Sequence, residues 1–426
     1  MHSQGTQRIQ KFMAQTTNIQ TFPNASVHST LDSSLPGAIP KLQTTEKDST
    51  SNGINHQDDL IFHELPPFPS HIPTAPLLRL SLQKLLDHDA DEEKGLFRAC
   101  CEVGFFYLDL RGAQPPRRDS IHQDQNEDDE INGDGLLRNA DELFKLGEQV
   151  FRLPTEEKQT YDFKDQGSYF GYKGLGAGIV DAQGTRDRNE FYNVSKDDVL
   201  GQVERLPAPE VLQKESNREL LRSFVRRSHA IINLLLSIIN THLGLPANRL
   251  PSLHRLRGIS GDQVRWVHSP PQPMDDRKLA LGEHTDFGSM TVLFNRLGGL
   301  QILPPGEGEW CYVKPLKGHC VVNLGDAMVK FTAGILRSNI HRVVNPPGEQ
   351  GDRTRMSLVY FARPEDEVLL KVLEGSDLID EKRRQHAEFA EEELVTAKEW
   401  VLRRAMGRRS DGDWEKSGGT EGDRLK

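Results

Sequence analysis

Gly282-Glu283-His284-Thr285-Asp286-Phe287-Gly288 and, well downstream, His341-Arg342-Val343-Val344 are the two stretches on which the reading of this chain turns. On an extended strand successive side chains alternate, so His284 and Asp286 point to one face while Thr285 points away. A third donor has to come from another strand. His341 heads an apolar run that a rolled double sheet can lay opposite the first. Two imidazoles and one carboxylate are the donor set that holds a non-haem Fe(II) with coordination positions left open. An isolated His-x-Asp is most often a hydrogen-bonded surface pair, so the surroundings have to carry the assignment.

From Gln263 onward, short apolar runs alternate with turn clusters at roughly ten-residue spacing. They are Thr291 to Phe294, Gly299 to Leu303, Cys320 to Leu324, His341 to Val344 and Met356 to Phe361. That texture predicts an antiparallel sandwich or small barrel of the jelly-roll kind. Arg355-Met356-Ser357 opens the last run, and the same spacing of two puts a guanidinium and a hydroxyl on one face, which is the geometry for a buried carboxylate. Read alone, Arg355 is an ordinary strand salt bridge. Beside the donor set, the pair points to a small dicarboxylate chelating the metal.

Upstream the periodicity changes. Leu82 to Cys101 reads as a helix, Val103 to Leu108 as a strand, and Asp141 to Phe151 as a helix ended by Pro154, after which Thr155 to Lys158 starts a turn. Ser168 to Asn193 is Gly-rich and irregular, and Glu219 to Leu243 is a long amphipathic helix stopped by Gly244. Asp377 to Ala405 reads as a closing charged helix. The expected class is α+β with a mainly β core, a jelly roll flanked by helices. Residues 1–57 form a disordered tail too poor in apolar groups to offset ordering entropy. Residues 58–262 form a helix-and-strand region packed on the core, 263–365 the jelly-roll core, 366–407 the C-terminal helix and 408–426 a polar tail.

Composition excludes several functions. The 426 residues are 36% hydrophobic and 27% charged, ordinary globular material with a net charge of −10, which argues against a phosphate-binding surface. Half of that excess lies between Arg117 and Asp134, where seven acids face two bases. It reads as a solvated insertion over about 112–135 with no need for a cationic partner. The longest apolar run, Ile231 to Ile239, is interrupted by Asn233 and falls short of the about 20 residues of a membrane span. Met1 to Gln20 has no apolar segment of the secretory kind. Cys100, Cys101, Cys311 and Cys320 form no CxxC pair, as suits a reducing compartment that also keeps iron ferrous. A cytoplasmic protein without a membrane, nucleic-acid or obligate protein partner is expected.

Six stretches, in order and including the two quoted first, carry a resemblance: Cys101-Glu102-Val103-Gly104-Phe105-Phe106, Phe151 to Lys158, Asp187-Arg188-Asn189-Glu190-Phe191, Gly282 to Gly288, Asn323-Leu324-Gly325-Asp326 and His341-Arg342-Val343. From about Leu65 to about Ala405 the chain resembles the isopenicillin N synthase-like family of Fe(II)/2-oxoglutarate-dependent oxygenases. The resemblance implies that His284, Asp286 and His341 bind Fe(II), and that Arg355 and Ser357 hold the distal carboxylate of 2-oxoglutarate. Asn323 to Asp326 is then a structural turn, with Asp326 capping it. Implied co-substrates are 2-oxoglutarate and O2, with ascorbate as a reductant. The implied reaction is oxidation of a small organic substrate by hydroxylation, desaturation or cyclisation, with release of succinate and CO2 and no catalytic residue beyond the ligands.

Pocket walls in such folds would come from Tyr169 to Tyr192, Phe287, Phe361 and the C-terminal helix. The chain departs from the family at Val267-His268-Ser269-Pro270, where Asn-Tyr-Tyr-Pro is common, leaving His268, Ser269 or water to replace a tyrosine. It departs again in the acidic insertion and in the longer loop from His341 to Arg355. The rival readings are an Fe(II) oxidase of the same family that uses no 2-oxoglutarate, a zinc hydrolase, which leaves Arg355 and Ser357 without a role, and a non-catalytic jelly-roll binding protein.

Overall fold

Alternation along each strand decides which side chains face the helices and which face the interior between two sheets. The computed structural model describes residues 60–115, 131–273, 279–306, 308–385, 394–409, 411–413 and 418–420. The N-terminal tail and most of the acidic insertion expected from sequence lie outside the described residues.

Twelve strands form among them: β1 (Arg79–Ser81), β2 (Phe105–Asp109), β3 (Gly171–Lys173), β4 (Glu190–Ser195), β5 (Gln263–Ser269), β6 (Leu279–His284), β7 (Met290–Asn295), β8 (Leu300–Ile302), β9 (Cys311–Tyr312), β10 (His319–Leu324), β11 (His341–Val344) and β12 (Arg355–Ala362). The major sheet runs β1-β2-β10-β7-β12-β5-β4-β3 and the minor sheet β6-β11-β8-β9. Among the twelve strands described, only β1 and β2 pair with each other in parallel. This is the jelly roll that the strand spacing predicts, with one difference in membership: β1 to β4, half of the major sheet, come from before residue 263.

The two faces of the major sheet bury different cores. Phe105, Tyr107, Leu293, Val321 and Val359 point inward and meet Leu300 and Ile302 of the minor sheet. Their neighbours Phe106, Leu108, Val292, Phe294, Val322, Leu358 and Tyr360 point outward into the larger core made with the helices. The helix Gly133–Phe151 lies on this outer face, where the Trp266 indole nitrogen donates to the Leu143 carbonyl at 2.8 Å. A Cβ at position 147 would stand 2.6 Å from the indole, so Gly147 lets the helix approach to contact distance.

Three helices differ from their expected extents because a cap overrides periodicity, and the long helix starts four residues earlier than expected. Leu82 to Cys101 is two helices, Leu82–Leu86 and Ala90–Glu102, parted at His88, whose φ is 56°; Asp89 caps the second by accepting from the amides of Asp91 and Glu92. The helix expected from Asp141 begins at Gly133, capped by the Asn132 carboxamide at the Gly135 amide. Asp377 to Ala405 is likewise two helices, Asp377–Gln385 and Ala397–Gly407, the second opened by a capping box between Thr396 and Glu399. Past it, Arg409 is buried against Asp162 at 3.1 Å and the Thr420 hydroxyl donates to Asp326 at 2.6 Å. These two residues of the expected polar tail are therefore packed. The long helix runs Glu215–His242 and ends before Gly244, whose φ is 66°. No described helix is long and apolar enough to cross a membrane.

Candidate metal centre

His284, Asp286 and His341 are all buried and offer donor atoms within 4.8 Å of one another. Sequence spacing placed them together by a slightly different route. His284 is the last residue of β6 and Asp286 lies in the loop beyond it, so the two do not share a strand. His341 does not face His284 across the barrel. β11 is the antiparallel neighbour of β6 in the minor sheet, with His341 directly opposite His284. Adjacent paired positions hold side chains about 5 Å apart at Cβ, and the two imidazole centroids are 4.2 Å apart.

The donor chemistry fits a divalent cation. Each imidazole is anchored by Nδ1 to a backbone carbonyl, His284 to Gly282 at 2.8 Å and His341 to Asn339 at 3.2 Å. That makes Nδ1 the protonated nitrogen and turns both Nε2 lone pairs toward Asp286 Oδ1, 4.0 Å away in each case. Three lone-pair donors aimed at one another repel unless a cation lies between them. A triangle with sides of 4.0, 4.0 and at most 4.8 Å has a point about 2.5 Å from every corner, a few tenths of an ångström beyond ordinary bond lengths. Burial, and then the neighbouring His341, hold the His284 imidazole well below its usual pKa, so it is neutral and able to ligate. Gly282 is required here because a Cβ would collide with the Val180 carbonyl oxygen.

The same cavity contains Arg355 and Ser357 on one face of β12, together with Phe105, Val267, Leu281, Leu293, Val343 and Phe361. Arg355 is 2% exposed; its Nε donates to the Gly298 carbonyl at 2.8 Å and its Nη1 to Ser357 Oγ at 3.3 Å. It has no carboxylate within ion-pair distance among the described residues, and burial pushes its pKa down to about 10. A buried guanidinium in that state calls for an anion. Of the two candidates for the missing tyrosine, His268 faces the helices, stacking on Phe151 at 4.7 Å with Glu190 3.0 Å from its Nδ1. Ser269 is directly opposite Arg355 in the ladder, and its buried hydroxyl has no partner among the described residues.

Phe361 lines the cavity as expected. Phe287 instead packs on the outer core and under Arg404 at 4.6 Å, and neither the Tyr169 to Tyr192 segment nor the C-terminal helix reaches the cavity wall in the described residues. A larger groove of about 710 Å³, lined by Arg111, Phe144, Phe294 and Arg296, opens on the outer face of the major sheet, away from the triad.

The roles of four residues around the site escaped sequence reasoning. Asn323 donates from Nδ2 to Asp286 Oδ2 at 2.6 Å and accepts from the Thr291 hydroxyl, so the turn motif orients a triad carboxylate. Asp326 accepts from no amide of its own turn among the described residues; fully buried, it pairs with Arg404 at 2.7 Å and accepts from Thr285 Oγ1 at 3.1 Å. Arg404 in turn donates to the Thr285 carbonyl at 3.2 Å, tying the C-terminal helix to the residue between His284 and Asp286. Arg265 on β5 also lines the cavity. The ordered Asn-x-x-Asp signal was visible, but only contact shows what it touches.

A jelly roll carrying two imidazoles and a carboxylate beside an unpaired arginine is the framework of a non-haem metal oxygenase. The 2OG-Fe(II) oxygenase superfamily description matches residues 260–364, and the N-terminal region of non-haem dioxygenases in morphine synthesis matches 131–215. A 2-oxoglutarate-dependent dioxygenase of Glarea lozoyensis is 32% identical over 301 residues, 70% of this chain and 83% of that protein. Another, of Aspergillus fumigatus, is 32% identical over 359 residues, 78% of this chain and 86% of the relative. A full-length Neurospora crassa protein solved in complex with alpha-KG superposes with a TM-score of 0.60 at 22% identity, covering 77% of this chain and 95% of that one, which is a likeness of fold. The chain belongs to the 2-oxoglutarate–Fe(II) oxygenase superfamily. It is an Fe(II)- and 2-oxoglutarate-dependent dioxygenase that oxidises a small organic substrate.

Proposed function

We propose that His284, Asp286 and His341 hold the Fe(II), and that Arg355 with Ser357 grips the distal carboxylate of 2-oxoglutarate. The observation that supports this most is an unpaired, buried arginine in the same cavity as two Nε2 lone pairs aimed at one carboxylate. Bound Fe(II) supplies O2 activation coupled to decarboxylation of 2-oxoglutarate to succinate and CO2, the chemistry that oxidises the substrate.

The chain's own residues supply position. Backbone carbonyls of Gly282 and Asn339 fix the imidazole rings, Asn323 fixes the carboxylate, and Phe105, Leu281 and Leu293 keep water away. Ser269 supplies the hydroxyl near the co-substrate that a tyrosine provides elsewhere in the family. Residues 263–365 act as the oxygenase core, packed by 58–262 and closed by 366–407. The protein works in the cytoplasm, without nucleic-acid, membrane or obligate protein partners, consistent with its acidic charge and four free cysteines.

Succinate release by purified protein with Fe(II), ascorbate and 2-oxoglutarate tests the reading. His284→Ala should abolish iron binding and turnover with the circular dichroism spectrum retained. Arg355→Ala removes a charge-assisted contact of about 1.5–3 kcal/mol, a loss of roughly 10- to 100-fold in 2-oxoglutarate affinity. An unchanged rate in His284→Ala would discard the assignment.

A further inference from the structure

The cavity holds two arginines, and 2-oxoglutarate accounts for one. Arg265 enters it from β5, with its guanidinium carbon 4.3 Å from the Phe191 ring centroid and 4.9 Å from that of Phe361. Its Nε donates to Asn193 Oδ1 at 2.7 Å. That neutral amide is its one hydrogen-bond partner among the described residues, where it has no ion pair and both terminal nitrogens lack an acceptor. Burial, and next the like charge of Arg363, push its pKa down to about 9. A charge so disfavoured gains from any anion that reaches it.

Arg265 and Arg355 stem from different levels of the barrel. In the ladder Arg355 faces Ser269 while Arg265 faces Val359, four residues apart, or about 13 Å along the strand. A five-carbon diacid spans only about 5 Å from one terminal carbon to the other. Charge leads to the same place. Asp286 and dianionic 2-oxoglutarate exceed a divalent iron by one negative charge, which Arg355 balances. Arg265 then leaves one positive charge unmatched in an apolar cavity, where an unpaired ion is costly.

We propose that Arg265 anchors a carboxylate carried by the substrate, so that the enzyme acts on small organic acids. This rests on the reading of the triad and Arg355 given above. The two rings hold the guanidinium fork in a fixed plane, the arrangement for a two-point grip on a planar carboxylate, and Phe361, which lines the cavity, offers apolar surface to the carbon skeleton beside it. The anchored acid lies in the cavity that also contains His284, Asp286 and His341.

The test is anaerobic calorimetry on the full chain loaded with Fe(II) and 2-oxoglutarate, titrating 3-phenylpropanoate, cyclohexanecarboxylate and hexanoate against their primary amides. At least one acid should bind tenfold more tightly than its amide, and Arg265→Gln should erase that difference by weakening the acid alone. The proposal is overturned if acids and amides bind alike, if no acid binds, or if Arg265→Gln keeps the preference. Should Arg265→Gln not fold, Arg265→Lys, which keeps the charge and loses the fork, has to weaken the acid severalfold; no change overturns the proposal. The 2-oxoglutarate titration of wild-type protein is run first. Its failure would count against the Arg355 reading, whereas loss of the acid preference alone counts against Arg265.

Discussion

Replacing Asn323 by alanine removes the donor that holds Asp286 Oδ2 at 2.6 Å and leaves the triad's three side chains in place. A hydrogen bond to a charged group contributes about 1.5–3 kcal/mol, and at 1.4 kcal/mol per factor of ten its loss allows a fall of about 10- to 100-fold in Fe(II) affinity. Residues that orient ligands in this way are generally worth the same 10- to 100-fold. A second effect has to be separated from the first. Asn323 also accepts from the Thr291 hydroxyl inside the barrel, so the variant should lose about 1–3 kcal/mol of stability for a stranded buried donor. Anaerobic Fe(II) titration at fixed pH reads the first quantity and denaturant unfolding of metal-free protein reads the second. An Fe(II) dissociation constant within twofold of wild type, in a variant that folds and shows the stability loss, would refute the claim that this hydrogen bond orients a ligand.

Two other perturbations probe the supports of the site. Arg404→Met leaves Asp326 buried without its cation, which should cost about 3–5 kcal/mol in denaturant unfolding; a loss under about 1 kcal/mol would mean that the pair does not tie the C-terminal helix to the triad loop. Glu190 is held near a pKa of about 2 instead of 4.5, because burial, which raises it, is outweighed by hydrogen bonds from His268, Lys158 and Tyr172. With the folded value depressed, its contribution to stability is complete above the unfolded pKa near 4.5 and drains away as pH falls toward 2. Glu190→Gln should therefore flatten the acid limb of a stability curve measured from pH 7 to 3, and an acid limb as steep as wild type would contradict this.

Much of the site was legible because its chemistry is local. His284 and Asp286 are two residues apart, Arg355 and Ser357 likewise, and alternation of strand side chains is enough to pair them on a face. The guanidinium and hydroxyl do share a face of β12. Asp286 keeps company with His284 although the strand has already ended, because the loop after His284 is pinned by the Asp326 amide donating to the Asp286 carbonyl at 2.8 Å. Helix boundaries were the least legible element. Asp89, Asn132 and Thr396 start helices through a few local side-chain hydrogen bonds, and an apolar stripe continues past such a cap without marking it.

Periodicity and residue spacing by themselves pointed to the jelly roll and to the identity of the candidate donors, since strand alternation and metal-ligand preference are properties of residues and short spacings, while the reaction class came from the resemblance of ordered motifs to a known family. Tertiary structure alone decided that His341 sits beside His284, that Asn323 steadies Asp286, that Arg404 reaches back to Thr285, and that Arg265 shares the cavity with Arg355. Each of those meetings joins segments distant in the chain. Strand order and register between such segments are set by which faces can be buried together, a collective property of the packed core that no local spacing carries.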